Sequence, residues 1–204
     1  MKIERRNTGT GEVRMEGEGE SRRMVGYAAV FYREGEQGTE YRLWDDAVER
    51  IMPEAFDGVA NDDVRALFNH DPSLLLGRST AGTLSLSVDE RGLRYEIDPG
   101  DTTTARDVQA HLERGDLTGS SFGFRITNEE WQSRNDGPDV RLVRGVELFD
   151  VGPVTFPAYE SSDAGLRADG DTGEAQASHD KWAAEQAEKE ERAKRMQARL
   201  DEMK

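Results

Sequence analysis

The sequence predicts a β-rich α+β fold followed by a charged helix, on three observations. Short apolar or alternating segments recur between residues 23 and 156 at the spacing of strands. Within that region only residues 104–114 carry helix signals at both ends. Residues 180–203 lack Gly and Pro and are dense in Ala, Glu, Lys, Arg and Gln, the strong helix formers. Many strands with one or two helices argue for a barrel or sandwich with helical additions.

Taken in order, residues 7–21 alternate Gly, Glu and Arg and form at most an edge hairpin, so residues 1–22 are set apart as a polar arm. Residues 24–31 are a short apolar run with Gly26, read as a buried strand, and 64–68 are another, ending at the loop signal Asn69-His70-Asp71-Pro72. Residues 83–88 and 93–97 alternate, and Asp89-Glu90-Arg91-Gly92 between them reads as a hairpin turn. In the helix at 104–114, Thr104 with Asp107 makes a capping-box-like start, Ala105, Val108 and Leu112 share a face, and Gly115 supplies the stop. Residues 122–127 and 141–156 return to strand.

Residues 164–178 are Gly, Ala, Asp, Thr and Ser with almost nothing to bury, the composition of a linker. In the tail, Glu185–Lys189, Glu188–Arg192, Glu190–Lys194 and Glu191–Arg195 sit at i,i+4 with the acid first. Trp182, Met196, Leu200 and Met203 are too sparse for a heptad seam, so the helix is solvated or docks on a partner. The expected organisation is an arm at 1–22, a main folded domain at 23–160, a flexible linker at 161–179 and a helical tail at 180–204.

The 204 residues are 34% charged and 35% hydrophobic, against about 25% and 45–50% in an average domain. A core of normal composition with polar segments outside it accounts for the deficit. Lys and Arg number 27 against 42 Asp and Glu, a net charge of −15. Such a surface repels phosphate backbones and anionic lipid, so neither nucleic acid nor membrane is an expected partner. The absence of cysteine removes disulfides, thiolate zinc sites and cysteine nucleophiles. No apolar run approaches the roughly 18 residues of a membrane span, and residues 1–7 lack a signal-type apolar core. A soluble protein made in a cytoplasm is expected.

Gly119-Ser120-Ser121-Phe122-Gly123 matches G-x-S-x-G, the nucleophile-elbow pattern. A tight turn explains it equally well, and the context excludes an α/β-hydrolase: a helix precedes the motif, a strand follows, and only His179 lies downstream. A serine nucleophile needs a base, and three histidines are on offer. His179 is in the polar tail and His111 on the helix beside Leu112, where a structural role suits it. His70, in a loop after an apolar strand, is the sensible base, with plain solvent exposure as its ordinary alternative. A third group must hold the imidazole tautomer. Asp150 shares strand parity with Val146 and Leu148, and a carboxylate on an apolar face demands a partner. Equally, it is an acid at a strand end, facing water before Gly152-Pro153.

Five segments resemble the prohead proteases of tailed bacteriophages, the capsid-maturation serine peptidases. Gly26-Tyr27-Ala28-Ala29-Val30-Phe31 is similar to their opening strand, and Glu49-Arg50-Ile51-Met52-Pro53-Glu54-Ala55-Phe56 follows it, with Glu54 where Gly is usual. Ala66-Leu67-Phe68-Asn69-His70-Asp71 with Leu76-Gly77-Arg78 looks like the segment of the family histidine. Arg114-Gly115-Asp116-Leu117 and Ser120-Ser121-Phe122-Gly123-Phe124 look like that of its serine, with Ser120 where Met is usual. Phe-Gly-Phe aligns Ser121; an alignment shifted by one would select Ser120. Asp150-Val151-Gly152-Pro153-Val154-Thr155-Phe156-Pro157-Ala158-Tyr159 resembles the closing strand, whose acid is more often Glu.

The resemblance implies the fold of the herpesvirus capsid-assembly proteases, a β-barrel surrounded by helices. It implies a serine endopeptidase with Ser121 as nucleophile, His70 as general base and Asp150 as orienting acid, needing no metal or organic cofactor, and oxyanion donors near Ala158. Alternation places Ser121 opposite the inward Phe122 and Phe124, facing a surface groove. Implied partners are the major capsid protein with its scaffolding segment, and other copies of the chain itself, through self-cleavage and homo-oligomers. The implied setting is the immature capsid, or prohead, in the host bacterial cytoplasm. The open linker is the expected self-cleavage region. A protease-like assembly protein without activity, and a small-molecule esterase, are the competing readings.

Overall fold

The computed structural model describes residues 3–8, 13–36, 38–156, 166–169 and 172–202. In chain order the strands are β1 (Glu4–Thr8), β2 (Val13–Glu16), β3 (Arg23–Val30), β4 (Tyr41–Trp44), β5 (Ala47–Ile51), β6 (Arg65–Leu67), β7 (Leu75–Arg78), β8 (Leu84–Val88) and β9 (Gly92–Ile97). Helix α1 (Thr103–Arg114) follows, then β10 (Gly119–Gln132), β11 (Asp139–Val154), β12 (Leu166–Asp169) and α2 (Gly173–Glu202). The chain divides into two units, residues 1–170 and 171–204, the second holding α2.

The first unit is strand-rich α+β. One sheet has eight strands in the order β10-β1-β12-β4-β5-β11-β6-β7, with β10 also paired to β11, and the other has four in the order β2-β3-β9-β8. The strand-rich class agrees with the expectation from sequence; the surrounding helices do not. Among the described residues of this unit α1 is the one α-helix, because only this segment combines a cap, an apolar stripe and a stop. The Thr102 hydroxyl, not Thr104, accepts the Ala105 amide at 3.1 Å, and Gly115 ends the helix in the left-handed region at φ 78°. Ala105, Val108 and Leu112 are buried, as their spacing requires.

The hairpin β8–β9 forms as its alternation predicts, with the Asp89 carboxylate accepting the amides of Arg91 at 2.8 Å and Gly92 at 3.1 Å across the turn. β3 pairs with β9 and brings Met24, Ala28 and Ala29 into a core shared with Tyr95, Ile97, Phe122 and Phe124. Phe122 and Phe124 stack with ring centroids 4.6 Å apart, and Phe56 meets Phe122 edge-on at 5.9 Å. These two rings fix which face of β10 is inward, and thereby turn Ser121 the other way.

The expected polar arm is not an arm. β1 lies between β10 and β12 inside the larger sheet, pairing Glu4 with Phe124 and Asn7 with Ser121. Its charges are buried because they are matched. Arg6 donates to Glu49 at 2.6 Å and to Glu4 at 2.7 Å, and Arg141 reaches Glu4 at 3.0 Å and Glu49 at 3.1 Å. The expected linker is also interrupted: β12 pairs with β1 and β4, and α2 begins at Gly173, well before residue 180.

Candidate active site

β10 and β11 form the floor of the site. In their antiparallel register Ser121 lies opposite Gly152, and Gly123 opposite Asp150, with a bulge just beyond Gly123. Both glycines are there for close approach. A Cβ on Gly123 would stand 2.3 Å from Asp150 Oδ2, and one on Gly152 would stand 2.1 Å from the Leu67 carbonyl. The second contact lets β6 lie parallel against β11 at Asp150 and Val151, so the loop leaving β6 passes over the carboxylate.

That loop carries the histidine. Phe68 donates to the Leu74 carbonyl and Asp71 to that of Phe68, both at 3.1 Å, closing the β6–β7 turn. Asp71 serves the turn itself: the Ser73 hydroxyl and amide bond its carboxylate at 2.6 and 2.8 Å and hold it below the usual carboxylate range. Asn69 and His70 adopt positive φ, 54° and 57°, which swings the imidazole back toward β10 and β11.

His70 bridges the other two sequence-predicted residues. Its Nδ1 is hydrogen-bonded to Asp150 Oδ1, and its Nε2 lies 2.6 Å from Ser121 Oγ. A carboxylate only accepts, so the Asp150 bond calls for a proton on Nδ1; in the neutral ring Nε2 is then an acceptor for the serine hydroxyl, which can also donate to the Arg6 carbonyl at 3.0 Å. Ser120 is turned elsewhere, its hydroxyl 2.9 Å from the Tyr95 oxygen and 3.3 Å from the Gly152 carbonyl. His111 pairs with Asp116 at the end of α1, and His179 lies in α2 of the other unit.

Ser121 does not face an open groove. It has no exposed surface, Asp150 is 7% exposed, and the Arg6 carbonyl of β1 lies 3.0 Å from Ser121 Oγ. Ala158, near which oxyanion donors are expected, lies outside the described residues. Three contributors escape sequence reading: Asn69, which binds Thr155 on β11's continuation, and the two close-approach glycines. The Gly123 and Gly152 positions within strand-like runs were the available signal, since an isolated glycine in a strand marks a bulge or close backbone approach.

Residues 10–174 match the family described as caudovirus prohead serine protease, and the chain belongs to that family. It is 29% identical over 164 residues to the "Prohead protease" of Enterobacteria phage HK97, across 77% of this chain and 64% of that protein. The chain thus spans somewhat less than two thirds of that relative's length. No solved structure matches the chain.

Proposed function

We propose that this chain is a serine endopeptidase of phage capsid maturation. Ser121 Oγ attacks the scissile carbonyl carbon while its proton passes to His70 Nε2. Collapse of the tetrahedral adduct breaks the C–N bond, and His70 returns the proton to the leaving amine. Water then repeats the sequence on the acyl-enzyme, giving its proton to His70 and freeing the Ser121 hydroxyl. Asp150 holds the Nδ1–H tautomer and stabilises the imidazolium through both halves. The observation that carries this reading is the His70 ring, bonded at one nitrogen to Asp150 and at the other to Ser121.

The family and the name of the HK97 relative support the setting: the prohead, within the host bacterium. Proposed substrates are the scaffolding part of the capsid protein and the chain itself. Because Ser121 is covered, peptide entry requires the Arg6 carbonyl to leave Ser121 Oγ. Self-cleavage would fall within residues 164–178, whose composition offers almost nothing to bury, and would remove the α2 region. Intact-mass spectrometry tests this: wild type should lose the α2 region over days, and Ser121→Ala should not. An equal loss in both, or in neither, would count against self-cleavage.

A further inference from the structure

Asn69 precedes the proposed base in the chain, yet the chemistry above makes no use of it. Its side chain meets Thr155 twice: Nδ2 donates to Oγ1 at 2.9 Å, and Oδ1 accepts the Thr155 amide at 2.8 Å. Its own amide donates to the Pro153 carbonyl at 3.1 Å. Three bonds therefore tie one loop residue to the end of β11. Among the described residues Asn69 and His70 are also the non-glycine residues with positive φ. That region is disfavoured for L residues, least so for Asn, and two in succession persist only where the surroundings hold them.

We propose that Asn69 is a positioning residue: its clasp on Thr155 holds both left-handed residues and so sets the His70 ring between Ser121 and Asp150. This rests on the catalytic reading above. β6 pairs with β11 at Asp150 and Val151 and ends with Leu67 against Gly152, which leaves the loop beyond Leu67 to be fixed by other means. The clasp refers that loop to the strand carrying the carboxylate, so the imidazole and its partner share one frame. Asn suits the place because it supplies a donor and an acceptor together and tolerates the left-handed region. Asp preserves both contacts, with the Thr155 hydroxyl now donating. Gly keeps the backbone freedom and loses the clasp.

The test compares Asn69→Gly and Asn69→Asp with wild type in the full chain, by two readouts. The first is the rate at which diisopropyl fluorophosphate labels Ser121, followed by intact mass: Oγ bonds phosphorus, fluoride leaves, and His70 takes the proton. The second is the low-field His70 Nδ1 proton, seen by NMR of histidine-labelled protein. Asn69→Gly should label about 10²-fold more slowly, as a misplacement of about 1 Å would cause, and should lose the low-field proton to exchange. Asn69→Asp should retain both. If Asn69→Gly does not fold, Thr155→Val removes the hydroxyl contact alone and should slow labelling by less than the roughly 10²-fold of a full misplacement; an unchanged rate there would overturn the proposal.

Wild-type labelling with the proton intact in Asn69→Gly, even at a lower Tm, would make Asn69 a loop anchor only and overturn the proposal by itself. If wild type is not labelled at Ser121, or His70→Gln labels as fast as wild type, the catalytic reading fails and this proposal with it.

Discussion

Gly123 and Asp150 are cross-strand neighbours that leave no room for a methyl group: a Cβ on the glycine would stand 2.3 Å from Asp150 Oδ2. The carboxylate occupies the space the missing side chain vacates, and its other oxygen holds His70. Gly123→Ala should therefore displace the acid. The expected result is a fall in turnover of about 10²-fold with a stability loss of only about 1–3 kcal/mol. Steady-state kinetics alongside thermal melting would separate the two effects.

On the proposed mechanism, the three residues joined through His70 should rank unequally. If Ser121 bonds the substrate and His70 carries the proton, Ser121→Ala and His70→Ala should each cost on the order of 10⁶ in turnover. Asp150→Asn keeps the shape but favours the wrong tautomer, for a loss of about 10⁴. Ser120→Ala should stay near wild-type turnover, because its hydroxyl faces Tyr95 rather than His70. Parallel kcat measurements on the four variants check the order.

Gly152→Ala should act on the fold rather than the chemistry. The added Cβ would meet a backbone atom, the Leu67 carbonyl at 2.1 Å, which cannot rotate away. β6 would be forced from β11, and the loss should reach or exceed about 3 kcal/mol. Urea denaturation of wild type and variant measures it.

The buried charge cluster shared by β1, β5 and β11 predicts acid sensitivity. Burial alone pushes the Glu49 carboxyl up, but Arg6 and Arg141 outweigh it and hold the group below its ordinary value. A depressed folded value stabilises the protein fully above the unfolded-chain value of about 4.3. That stability is lost as pH falls below it toward the folded value. Glu49→Gln should weaken the fold at neutral pH by about 3 kcal/mol, since it leaves Arg6 and Arg141 short of a buried partner. It should also flatten the acid limb of stability against pH, read by denaturant midpoints from pH 7 down.

Much of this was legible in the sequence. Apolar alternation gave β8 and β9 because each has one buried face, Phe122 and Phe124 marked the inner face of β10, and Gly115 marked the end of α1. Asp150 was conspicuous as an acid in phase with Val146 and Leu148. What stayed hidden depends on partners distant in the chain. Glu4 and Arg6 read as solvated until Glu49 and Arg141 are placed beside them. β12 has too little apolar content to stand out, and it pairs as a strand because β1 and β4 flank it. The covering of Ser121 follows from β1, so it was hidden for the same reason.

The most direct measurement is co-expression with the capsid protein of the same phage, comparing wild type with Ser121→Ala on a gel. Truncated capsid protein in the wild-type lane and full-length protein in the variant lane is the result expected if the Ser121 hydroxyl opens the peptide bond. Equal truncation in both lanes, with Ser121→Ala folded and present in equal amount, would contradict it.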